Sequence, residues 1–267
     1  MACRNAYRVK TNETEPINAP NKIAQIETAK KVDRLLFGVH STVAANETLQ
    51  NNLDMFEWVK RNKIYPNFWG RNLVGDNHLT KKEIEFVHDK GIKIAPIYHS
   101  DDPKKTEEQG RLLAKKIDVV ATELRIPSET AIFLELEGEQ VTTAFMKGYA
   151  EGLMLEGFTP GFKANTDSKY PFDREFSRGM QTEKETFKKC LVWAVAPILS
   201  EYEKMTTTHL IHPDNWIPFA PSGISRNEIA VWQYGKDCHP IENEKGENAV
   251  FHLDLVRNEQ VIVEKMF

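Results

Sequence analysis

Excess basic charge, membrane-length apolar runs, patterned cysteines and the short motifs that carry phosphate or nucleophile chemistry are all missing from this 267-residue sequence. Lys and Arg number 35 against 39 Asp and Glu, a formal net charge of -4. Neutralising a phosphate backbone needs the opposite balance, so nucleic acid is not an expected partner. No apolar stretch approaches the ~18 residues of a membrane span. Residues 1–33 lack the charged-then-apolar layout of a secretory signal, so the chain reads as soluble, with export and cell-wall association left open. Cys3, Cys190 and Cys238 are too few and too irregularly spaced for a disulfide framework or a zinc knuckle, and read as free thiols. There is no Ser nucleophile elbow, phosphate-cradling Gly loop or dinucleotide fingerprint, which sets aside esterases, kinases and Rossmann oxidoreductases. No cofactor is expected.

What is present is an ordinary globular balance, 40% hydrophobic and 28% charged residues, with length for one barrel of ~250 residues. Residues 1–33, rich in Asn, Thr, Glu and Pro near their start, read as an N-terminal arm, and residues 34–267 as one domain. From Arg34 onward short apolar runs alternate with amphipathic stretches, the pattern of repeated β-α units. Strands are expected at 35–40, 65–73, 92–98, 131–137, 158–164, 190–195, 229–234 and 250–255, with at most a short one near 209–212. Helices are expected at 49–61, from Thr80 with Glu83 as capping-box partner, at 105–124 with Leu112, Leu113, Ile117 and Val120 on one face, and at 142–156. The fold class is therefore α/β, a TIM-type (β/α) barrel that loosens in its second half.

Alternation along 131–137 puts Ile132, Leu134 and Leu136 on one face and Phe133, Glu135 and Glu137 on the other. In a closed ring of parallel strands the acids point inward at the C-terminal mouth, where sites of this fold lie. Their separation of ~6.6 Å along the strand lets one carboxyl raise the other's pKa, giving a proton donor beside an ionised carboxylate, as glycosidic cleavage requires. Glu137-Gly138-Glu139 reads equally well as a solvated strand end.

Several segments, in order, resemble one family. They are Phe68-Trp69-Gly70-Arg71, Leu79-Thr80 with Glu83, Gly91-Ile92-Lys93-Ile94-Ala95-Pro96-Ile97-Tyr98, Glu135-Leu136-Glu137, and Tyr149 with Glu156-Gly157-Phe158 and Gly161. Leu191-Val192-Trp193-Ala194, Val231-Trp232-Gln233-Tyr234 and Phe251-His252-Leu253-Asp254-Leu255 complete the series. Together they are similar to the glycoside-hydrolase-like barrels akin to family-25 muramidases, over about 34–257. That resemblance implies Glu137 as general acid, Glu135 as an electrostatic or water-positioning carboxylate, and Asp254 as a further acid in the pocket. It implies Tyr98, Trp193, Trp232 and Gln233 as a sugar-lining set.

The sequence departs from that pattern where His40 replaces a strand-one Asp and where Glu135 replaces an Asp. Beside their structural readings, His40 and Arg71 are candidates for substrate contact, Arg71 for an anionic group. His99, Asp101 and Asp102 suggest a metal site but read better as a solvated turn or cap, and no required metal is expected. The expected function is glycoside hydrolysis of an amino-sugar polymer such as peptidoglycan. The alternatives are an inactive glycan-binding module on the same barrel, or a structural partner protein.

Overall fold

Short strands with an apolar face of period two alternate, through the first six, with segments whose apolar spacing switches to the helical period, and the eight strands among the described residues close on themselves. The computed structural model describes residues 35–136, 140–199, 215–238 and 249–267. The expected arm at 1–33, the short strand near 209–212 and Glu137 lie outside the described residues. The strands are β1 (Leu36–His40), β2 (Phe68–Asn72), β3 (Lys93–Tyr98), β4 (Ala131–Glu135), β5 (Thr159–Asn165), β6 (Leu191–Leu199), β7 (Val231–Cys238) and β8 (Phe251–Val256). They form a closed barrel in chain order. The helices are α1 (Met55–Arg61), α2 (Lys81–Asp89), α3 (Glu107–Leu124), α4 (Thr143–Leu155), α5 (Pro171–Thr182), α6 (Lys184–Phe187) and α7 (Glu259–Lys265).

The expected ring of parallel strands needs one correction. Neighbours from β1 through β7 pair in parallel, but β8 runs antiparallel to both β7 and β1. Reversal brings the first half of β8 to the mouth, so His252 lies opposite His40, and Asp254 lies opposite Gly38, one layer deeper.

Alternation sorts the strand side chains into two clusters. Leu36, Phe68, Ala95, Ile97, Ala131, Phe133, Trp193 and Val231 fill the barrel. Val39, Trp69, Ile94, Ile132, Leu134, Phe162, Val192 and Trp232 pack outward against the helices. Ile262 and Met266 of the α7 region join the inner set, while Phe267 exchanges two backbone hydrogen bonds with Ile94 at the start of β3. The C-terminal segment thus plugs the end opposite the mouth.

Caps place most helix starts. Asp54, Thr80, Thr106 and Thr142 each accept a backbone N–H three residues on, and Thr106 forms a full capping box with Gln109. The expected box between Thr80 and Glu83 is only half present, because the Glu83 carboxylate turns inward to Arg71 and the Ala45 N–H. The helix expected at 49–61 begins only at Met55, because Asn52 at φ 63° makes a turn ahead of it. On α3 the buried line is Gly110, Leu113, Ala114, Ile117 and Ala121, whereas Leu112 is 49% exposed.

Helices α3 and α4 touch through glycine. A Cβ on Gly148 would lie 1.9 Å from the Glu107 carbonyl oxygen, and one on Gly110 2.2 Å from that of Phe145. Backbone cannot yield as a side-chain tip can, so Gly148→Ala is expected to cost roughly 1–3 kcal/mol or more as the helices separate. Urea unfolding measures this, and a change below about 0.5 kcal/mol would contradict the packing.

Candidate active site at the barrel mouth

Trp193 occupies the centre of the barrel, fully buried, with its ring edge-on to Phe68, Phe133 and His40. Its indole Nε1–H donates to Asp254 Oδ1 at 3.0 Å. The other carboxyl oxygen, Oδ2, is 2.6 Å from His40 Nδ1. Gly70 makes room for this histidine, since a Cβ there would stand 2.6 Å from His40 Cβ.

Asp254 has no solvent exposure. Burial pushes its carboxyl pKa well above the usual range, against the pull of Lys163 and the Trp193 hydrogen bond. Burial also holds the His40 imidazole well below its ordinary value, with Lys163 acting in the same direction. Burial thus disfavours charge on both partners of this contact. His252 stacks on His40 with ring centroids 4.3 Å apart. Burial, followed by the charges of His40 and Lys163, lowers its pKa to about 2. Its Nδ1 accepts from the Asp237 N–H at 3.2 Å and faces Gln233 Nε2 at 3.3 Å.

Glu135 meets a different environment one layer nearer solvent. Its Oε1 lies 2.5 Å from Lys163 Nζ, and its Oε2 lies 3.5 Å from His99 Nδ1. Burial works to raise this carboxyl, but the charge and hydrogen bond of Lys163 outweigh it and bring the pKa down to about 2. The expected raising of one carboxyl by its neighbour thus does not apply to Glu135, because a buried lysine faces it from β5. His99 is 45% exposed in its side chain and contacts Asp101 through Nε2 at 3.2 Å.

The structure brings His40, Glu135, Gln233 and Asp254 together inside the mouth, with Trp193 as their floor. It does not bring Arg71, Tyr98 or Trp232 there. All three have the outward parity of their strands, which corrects Tyr98 and Trp232 as sugar-lining residues and Arg71 as a contact for an anionic substrate group. Arg71, fully buried, gives Nε to Glu83 Oε1, Nη1 to the Ser41 carbonyl and Nη2 to the Asn77 carbonyl, tying together the loops after β1 and β2. Tyr98 packs in the outer cluster. Trp232 donates to the Ala196 carbonyl and packs edge-on against Trp216 and Tyr234. Trp193 faces inward but lies sealed beneath His40.

A scan against family models matches residues 64–254 to the description "Rv2525c-like, glycoside hydrolase-like domain". The chain belongs to that family. A crystal structure of an uncharacterised B. stearothermophilus protein superposes with a TM-score of 0.69 at 23% identity, covering 87% of this chain and 100% of that one. A glycosyl hydrolase 25 of Streptococcus pneumoniae named GHIP, described as a virulence factor participating in host cell invasion, gives 0.50 at 12% identity, covering 87% and 92%. At these identities both show the fold alone. No curated protein matches the sequence significantly.

In this glycoside hydrolase-like barrel, sequence reasoning missed Lys163, His252 and Asp237, and set His99 aside as a turn. A lysine at the inward position of the otherwise apolar β5, two residues after Gly161, was the available signal for Lys163. His252, two residues from Asp254, shares its face by the same parity. Among the described residues, no group of three or more His, Cys, Asp or Glu side chains is arranged to hold a metal ion. No helix among them is long and apolar enough to cross a membrane.

The Glu135 environment has a measurable consequence. A carboxyl lowered in the folded state contributes its full stability above the ordinary Glu range, near ~4.3, and loses it as pH falls toward its folded value. The stability difference between wild type and Glu135→Gln should therefore shrink from about pH 5 to pH 2, with a slope of up to ~1.4 kcal/mol per pH unit. Denaturant unfolding across that range tests this, and a pH-independent difference would contradict the ion pair with Lys163.

Proposed function

We propose that this barrel is a glycoside hydrolase acting on an amino-sugar polymer such as peptidoglycan, with cleavage at the mouth around Glu135. The observation that carries the reading is the Glu135 carboxyl, partly exposed at the mouth, with its pKa brought down to about 2 by Lys163. Sugar cleavage uses such a carboxylate to stabilise the positive charge developing on the ring while a separate donor protonates the leaving oxygen. In this proposal Glu135 is the stabilising carboxylate, held by Lys163. Glu137, two residues further on in the sequence, is the donor. Asp254 touches no substrate and acts through His40. Family membership and the shared fold support the choice of a glycan, and a wall polymer as substrate entails delivery of the protein to the wall.

A second reading, a binding module without turnover, draws on two observations. Lys163 holds Glu135 in an ion pair, and a buried His40–Asp254 pair stands where a strand-one acid was expected. Incubation with purified cell walls and defined oligosaccharides separates the two readings. The hydrolase reading expects release of reducing ends, lowered by roughly 10²–10⁴-fold in Glu137→Gln and in Glu135→Gln with the fold retained. Retained binding with no release from the wild type would select the binding module, and full activity in Glu137→Gln would remove that residue as the donor.

A further inference from the structure

Among the described residues, two inward-facing polar atoms of the barrel strands are buried without a partner, and they belong to the strands on either side of β8. One is His40 Nε2, on β1, and the other is Gln233 Oε1, on β7. Buried polar atoms are costly unless satisfied, so a pair of them on the two strands that flank β8 calls for a cause. Their chemistry is complementary. His40 Nδ1 is taken by Asp254, whose other oxygen is held by Trp193. His252 Nδ1 already accepts the Asp237 N–H, so the Gln233 group facing it is the donating Nε2, and Oε1 is the end left over.

We infer that His40 Nε2–H and Gln233 Oε1 form a donor–acceptor pair that reads one uncharged substrate group able both to accept and to donate, the secondary amide of an N-acetylated amino sugar. Resting on the glycan reading above, this assigns Asp254 a positioning role. By keeping its proton, it fixes the imidazole as the tautomer that donates from Nε2. The raised Asp254 pKa and the lowered His40 pKa agree with that arrangement, with Lys163, Glu135, Lys236 and His252 as the charged or titratable groups around the imidazole. The burial of both atoms means that the group meeting them is a small pendant one that shifts the side chains over the floor, not a sugar ring. A ligand lacking the amide leaves both protein atoms unpaired, which is how polar sites discriminate strongly.

The test uses the full chain. Calorimetry with N-acetylglucosamine, glucosamine and glucose tetramers is expected to show the acetylated one binding at least about tenfold more tightly than the others. His40→Phe and Gln233→Met should each erode that preference. Nitrogen NMR should find the His40 hydrogen on Nε2. Asp254→Asn, whose amide can donate to Nδ1 and accept from Trp193, should keep that signal. Equal binding of the three tetramers overturns the inference, as does binding of none, and wall cleavage by the same preparation then shows whether the glycan reading survives. A hydrogen found on Nδ1 in the wild type overturns it whatever the binding data show.

Discussion

A carboxyl group with no access to water, placed beside a tryptophan at the centre of a barrel, must either find a countercharge or keep its proton. Burial disfavours the charged form of Asp254, and much of the site follows. One carboxyl oxygen meets His40 Nδ1, while the other accepts from the Trp193 indole. Those two bonds fix the imidazole ring, which in turn supports the stacked ring of His252. Lys163, the nearest cation, goes instead to Glu135, closer to solvent. One lysine and one difference in depth therefore decide which acid is charged.

Outside the ring of strands, a further buried charge pair has a mechanical task. Arg71 and Glu83 have no exposed side-chain surface. Through the carbonyls of Ser41 and Asn77 and the Ala45 N–H they anchor the loops following β1 and β2. Ser41 in turn donates to the Val250 carbonyl, just ahead of β8. Breaking such a pair would leave a lone charge in the apolar layer, at a cost of ~3–5 kcal/mol. The strands that carry His40 and His252 are thereby held in register at the mouth.

The barrel was legible in the sequence because strand and helix periods alternate cleanly through its first half, and the placement of Glu135 followed from parity on β4. The direction of β8 was not legible, since a short apolar strand looks the same either way round, and Asp254 consequently lies deeper than expected. Arg71, Tyr98 and Trp232 were drawn into the site by motif rather than parity. On their strands they alternate with the inward residues Gly70, Ile97 and Gln233, and an odd step along a strand changes the face. Lys163 was missed because attention to acids ignored the base needed to keep one of them ionised. His40, where an acid was expected, has the acid supplied from the neighbouring strand β8 by Asp254.

The central claim is that two carboxyls in one barrel are held in opposite states. Carbon NMR of selectively labelled Asp and Glu side chains, followed from acid to mildly alkaline pH, tests it most directly. The account predicts a Glu135 signal that titrates near about 2 and an Asp254 signal that remains that of the protonated acid through neutrality. An ionised Asp254 at neutral pH, or a Glu135 that titrates as an ordinary surface glutamate, would contradict it.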